Sequence, residues 1–107
     1  MKIEFEDKEL QALIETGKSK KYKKISKNKI LMNGLLNAYR IMDAVENVAM
    51  LTIFSYLRYE KLKYELSGLS SVRIANGHVE RLIFTEHDGG IRIKLLELDD
   101  SHYGNKK

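Results

Sequence analysis

The sequence predicts an α+β domain, on three observations. Its first half carries two stretches of apolar residues at helical spacing, and its second half alternates apolar with polar residues. The breaks in that second half are turn formers, Asn76-Gly77 and Asp88-Gly89-Gly90. Helices followed by a meander give an N-terminal strand and two helices packed on one face of an antiparallel sheet, with the other face free. The chain has 107 residues and no Ser/Gly/Pro-rich divider, so residues 1–107 read as one domain, with 104–107 a frayed tail.

Each element has its own signal. Lys2-Ile3-Glu4-Phe5 alternates charged with apolar, as a half-buried strand does. Asp7 is placed to cap a helix carrying Leu10, Leu13 and Ile14, and Gly17 suits its C-terminal stop. From Ser26, a candidate cap, Ile30, Leu31, Gly34, Leu35, Ala38, Ile41, Met42, Val45 and Ala49 recur every three or four residues, the strongest helix signal in the chain. Val48 to Tyr59 is apolar and aromatic without a clear period, and fits a helix extension, a turn or a strand. Ser70 to Ala75 and His78 to Glu86 then read as strands joined by Asn76-Gly77, a pair that favours the two-residue type I′ turn. Ile91 to Leu95 is a last alternating strand.

Composition excludes several function classes. Cysteine is absent, so disulfides and thiolate metal sites are ruled out, and His78, His87 and His102 lack ligand spacing; no metal is expected. There is neither a Gly-rich phosphate loop nor a nucleophile elbow, so no cofactor is expected either. The N-terminus turns acidic where a secretory signal would be apolar, and no apolar run approaches a membrane span of about 18 residues. The chain reads as cytoplasmic, neither exported nor membrane-associated.

The net charge of +4 is concentrated. Lys18, Lys20, Lys21, Lys23, Lys24, Lys27 and Lys29 fall in one segment without an acidic residue, and subtracting those seven from 19 basic residues leaves 12 against 15 acidic ones, a net of −3. Lys27 and Lys29 are expected in the first turn of the long helix, where cations oppose the helix dipole, so stability alone would not select them. Such a patch suits RNA; it would equally serve solubility or receive an acidic protein.

Alternation in the hairpin puts Val72 and Ile74 on one face and Ser71 and Arg73 on the other, with Leu82 and Phe84 toward the core and Arg81 away from it. Two arginines therefore meet on the uncovered face. Guanidinium groups stay charged and fork onto phosphates, although pairing with Glu80, Glu86 or Glu97 would account for them as well. Upstream, Lys61 and Lys63 share a face if their segment is extended, and either could hold a phosphate or guard a sheet edge. At the far end, His102 and Tyr103 bring a proton-transfer group and a stacking ring.

The run from Tyr59 to Phe84 resembles the HigB killer proteins of toxin-antitoxin operons, which belong to the RelE-like group of toxins. The family pattern has Leu-Lys-Gly, then Gly and Ser-(Ile/Val)-Arg-Ile-Asn, then Arg-(Ile/Leu)-(Ile/Cys)-Phe, and an acidic-aromatic end; here it spans about residues 57 to 103. The resemblance implies a RelE-like fold and an endoribonuclease that cuts mRNA on the ribosome and is silenced by a small helix-turn-helix antitoxin of the HigA type. It also implies that Lys63, Arg73, Arg81, His102 and Tyr103 form the catalytic set; the lysine segment, longer than the family pattern has, and Lys61 are read from their charge as binding RNA. Tyr64 departs from the pattern by standing where a glycine usually follows the lysine, and Glu60 falls where some relatives carry a histidine, which leaves the general base open. Two other functions fit the same fold: a non-enzymatic ParE-like toxin that binds DNA gyrase, and an interaction domain without activity.

Overall fold

The computed structural model describes residues 1–97. Strand β1 (Lys2–Phe5) leads into helix α1 (Lys8–Thr16), the short helix α2 (Lys23–Ser26) and the long helix α3 (Lys29–Ala44). Two 3-10 turns, Val48–Ile53 and Ser55–Leu57, occupy the segment whose conformation the sequence left open. Strand β2 (Glu60–Lys61), a 3-10 turn at Tyr64–Leu66, and strands β3 (Ser70–Arg73), β4 (Arg81–His87) and β5 (Gly90–Glu97) complete the order.

The strands form one sheet in the order β1-β5-β4-β3-β2. The meander β2 to β5 is antiparallel as expected, but β1 joins the far edge parallel to β5, so the sheet is mixed rather than antiparallel. A parallel neighbour needs a long crossover, and here the whole helical half and the meander lie between the two strands.

The helices cover one face. Leu10, Leu13, Leu31, Leu35, Ala38 and Met42 pack with Val72, Leu82, Phe84, Ile91, Ile93 and Leu96 in a single apolar cluster. Helix α3 comes so close to the end of β3 that a Cβ on Gly34 would lie 1.9 Å from the Ile74 carbonyl oxygen. Asp7 caps α1 as expected, accepting hydrogen bonds from the Glu9 and Leu10 N–H groups at 3.0 and 3.2 Å, and Gly17 ends it with φ 79.

Several boundaries differ from the sequence reading: α3 stops at Ala44, short of the Val45 and Ala49 read into its period. Asn28, not Ser26, caps α3 through the Leu31 N–H, because residues 23–26 form a helical turn of their own; Lys29 begins α3 and Lys27 lies outside it. The β3-β4 connection is not a two-residue type I′ turn. Ladder pairing ends at Arg73 and Arg81, and within the loop the His78 N–H donates to the Ala75 carbonyl with only Gly77 at positive φ. Type I′ needs positive φ at both central residues, whereas type II needs it only at the second. Finally, β2 contains Glu60 and Lys61 alone; Lys63 lies beyond it, with an extended backbone at φ -121 and ψ 172, and precedes a 3-10 turn.

Candidate active site

Arg73 and Arg81 are direct cross-strand partners, and Glu97 follows opposite Arg81 on β5. Both arginines therefore stand side by side on the face away from the helices, at the end of β3 and the start of β4. Arg81 pairs with Glu60, at 2.5 Å, a partner the sequence reading did not name. Glu60 reaches it from the edge strand β2, where it sits opposite Ser71.

A third arginine joins them. Arg58 ends the Ser55–Leu57 turn in the left-handed region, φ 49 and ψ 48, and with Ser55, Tyr59, Glu60, Arg73 and Arg81 it lines an open recess of about 280 Å³. Burial first, then the positive charges of Arg81 and Arg58, pull the Arg73 guanidinium below the ordinary arginine range, while Glu60 acts the other way. Arginine remains charged through such a shift, so the recess is a fixed concentration of cations with the Glu60 carboxylate at its edge. The Arg73 Nε and the Ser71 Oγ are buried without a hydrogen-bond partner among the described residues. Arg73 lines the open recess, and an orphaned guanidinium donor there suits an anionic ligand.

Tyr59 holds this segment in place. Its ring stacks on Phe84 with centroids 6.3 Å apart, and its hydroxyl donates to Glu86, which also accepts from the Ser70 hydroxyl at 2.6 Å. Burial pushes the Glu86 carboxyl up, but the two hydroxyls and the charge of Lys61 outweigh it and leave the group below the usual range. Burial and the bond to Glu86 push the Tyr59 phenol up to about 12, so it stays protonated at neutral pH. Lys61 is thus electrostatically tied to Glu86, away from the arginine recess.

Lys63 is exposed and is not among the residues lining the recess. His102 and Tyr103 lie outside the described residues, as does the expected frayed tail. Arg58 and Ser55 were missed by sequence reasoning, because their segment has no period from which facing can be read. The available signal was a basic residue just ahead of the family-like run, beginning at Tyr59.

The lysine segment forms a second basic surface. Lys18, Lys20, Lys23 and Lys27 line an open groove of about 550 Å³ with Glu9, Ala12, Ser19 and Ser26. Lys24 and Lys29 are exposed outside it, and Lys21 is engaged in an ion pair with Asp7 at 2.9 Å. The segment is anchored by Tyr22, which is buried, donates a hydrogen bond to Asp7 and accepts one from the Leu96 N–H at 3.1 Å. Leu96 precedes Glu97, the register partner of Arg81, so the lysine segment is tied to the same end of the sheet as the arginine pair.

No family model and no curated protein sequence matches the chain. In structure it is similar to the YoeB-YefM complex from Staphylococcus aureus, with 25% identity over 91% of this chain and 94% of that one and a TM-score of 0.53. The architecture, a five-stranded sheet with helices on one face and a cationic recess on the other, is the RelE-like fold.

Proposed function

We propose that the protein is the toxin of a type II toxin-antitoxin module, a HigB-like endoribonuclease that cuts mRNA on the ribosome. The observation that carries this reading is the recess in which, among the described residues, Arg58, Arg73 and Arg81 converge with the carboxylate of Glu60. Cleavage of RNA without a metal requires the 2′-hydroxyl to attack the adjacent phosphorus, which needs cations for the developing negative charge and a group to accept the hydroxyl proton. Arg73 and Arg81 stabilise the five-coordinate phosphorus, Arg58 adds charge at the rim, and Glu60 is the carboxylate in reach to take the proton. Phosphate binding by Arg81 would compete with its pair to Glu60 and so free the carboxylate. The departing 5′-oxygen needs a proton, and Lys63, His102 and Tyr103 are the candidates carried over from the family resemblance. The products are a 2′,3′-cyclic phosphate and a 5′-hydroxyl.

The groove of Lys18, Lys20, Lys23 and Lys27 receives RNA backbone outside the cleaved segment, with Lys24, Lys29 and Lys61 adding to the field, while Lys21 serves chiefly to anchor the segment. The similar structure is a complex named for two proteins, which supports a partner antitoxin here; a helix-turn-helix protein of the HigA type is the partner that the family resemblance implies. Translating ribosomes are cytoplasmic, and so is the proposed site of action. Incubation of the protein with translating ribosomes and, separately, with gyrase tests the reading. Cut mRNA with wild-type gyrase activity supports it, and intact mRNA with stalled gyrase replaces it by the ParE-like alternative.

A further inference from the structure

Tyr64 begins the Tyr64–Leu66 turn with its backbone in the left-handed region, φ 60, and with 91% of its surface exposed. For a bulky L-residue that conformation is unfavourable, because Cβ crowds the following carbonyl oxygen. Packing does not offset the cost, since the ring meets no aromatic or hydrogen-bonding partner among the described residues. The loop nevertheless fixes it. The Leu62 N–H donates to the Leu69 carbonyl at 2.9 Å, the Leu66 N–H to Lys63 at 3.2 Å and the Ser67 N–H to Tyr64 at 3.1 Å. A hydrogen-bonded scaffold therefore displays a ring that contributes little to the fold, beside the exposed Lys61 and Lys63. An exposed ring next to cations is the arrangement that holds single-stranded nucleic acid, the ring stacking on a base and the ammonium groups meeting phosphates. Glu65 keeps the local charge modest, so the ring rather than the field is the distinguishing feature.

Its place in the fold separates it from the cleavage recess. The 62–69 loop leaves the sheet at the Ser70 end of β3 and Arg73 closes the other end, three residues or about 10 Å of extended chain away. Tyr64 is not among the residues lining the recess, and a place outside it suits a neighbouring nucleotide of the same strand rather than the scissile phosphate. We propose that Tyr64 is a base-stacking subsite for a nucleotide flanking the cleaved bond. The inference rests on the RNA-cleaving reading given above and adds to it a determinant of where the strand is cut.

The test compares wild type, Tyr64→Asn, Tyr64→Phe and Arg73→Ala on mRNA in translating ribosomes. Asparagine tolerates the left-handed backbone and removes the ring; Tyr64→Gly is a second ringless variant should the first melt low. The expected result is a loss of about 10-fold in kcat/KM for the ringless variants, carried mainly by KM and accompanied by a flattened cut-site pattern, with Tyr64→Phe close to wild type. Wild-type cleavage by a folded ringless variant overturns the subsite, as does an equal loss in Tyr64→Phe. If wild type leaves mRNA intact, or Arg73→Ala cuts as well as wild type, the nuclease reading itself falls and the subsite with it.

Discussion

Glu60 is pulled in two directions: it pairs with Arg81 in the free protein, and in the proposed mechanism it accepts a proton once phosphate takes its place. Glu60→Gln keeps a hydrogen-bonding side chain beside Arg81 while removing the base. Cleavage is expected to fall by about 10²- to 10⁴-fold, with thermal stability changed by no more than roughly 1 kcal/mol, because the Glu60 side chain is half exposed. Single-turnover cleavage and a melting curve on the same preparation check both halves of that statement. Arg73 and Arg81 were legible in the sequence, since strand alternation around Val72 and Leu82 fixes which way their neighbours point. Glu60 was visible as a residue but not as the partner of Arg81, because that contact crosses two strands and depends on the register of a two-residue edge strand. Tyr64 stood out in sequence only as a departure from a family glycine, and its φ of 60 explains why a glycine suits that position.

At the scale of elements, the lysine segment depends on Asp7. This carboxylate is 8% exposed and serves three partners at once: it caps α1, pairs with Lys21 and accepts from Tyr22. Burial pushes its pKa up, but the bonds from Lys21, Tyr22 and the Leu10 N–H outweigh burial and leave it below the usual value. A carboxyl whose folded pKa lies below its unfolded value contributes stability that is present above the unfolded pKa of 3.8 and disappears as pH falls through the folded one. Asp7→Asn is therefore expected to cost about 1–3 kcal/mol at neutral pH and to weaken the loss of stability on going from pH 6 to pH 3, read by urea melts at both values. Helix α3 offers a steric counterpart. Gly34→Ala would drive a methyl into the Ile74 carbonyl, and a cost of about 1–3 kcal/mol or more is expected, with the largest loss of amide protection where α3 meets the end of β3.

The helices were legible because their apolar period runs for several turns and their caps, Asp7 and Gly17, are strong local signals. The 48–59 segment was not, because short 3-10 turns impose no extended period and their conformation follows from packing against Leu51 and Leu57, both buried. The type I′ turn failed for a related reason. Asn76-Gly77 permits positive φ at both residues but does not require it, and ladder pairing stops before the dipeptide is reached.

Across the whole molecule, two basic surfaces are joined through one end of the sheet: the arginine recess on the open face, and the lysine groove held by Tyr22 against Leu96. Changing Lys18, Lys20, Lys23 and Lys27 together to glutamine is expected to weaken RNA or ribosome binding and to flatten the dependence of log affinity on log salt by about one unit for each phosphate no longer neutralised, while leaving the chemical step at saturation unchanged. Affinity measured over a series of salt concentrations, beside the cleavage rate at saturating ribosomes, separates binding from chemistry. Charge clustering made this surface visible in the sequence, but Lys21 shows the limit of counting charges, since one of the seven lysines is already paired with Asp7.

The most direct measurement is the chemistry of the RNA ends after mRNA on translating ribosomes is exposed to wild type and to Arg73→Ala. The expected result is discrete cuts by wild type that leave a 2′,3′-cyclic phosphate and a 5′-hydroxyl, with Arg73→Ala slower by about 10²-fold or more. Intact mRNA, or identical cuts by Arg73→Ala, would contradict the assignment of cleavage to the arginine recess.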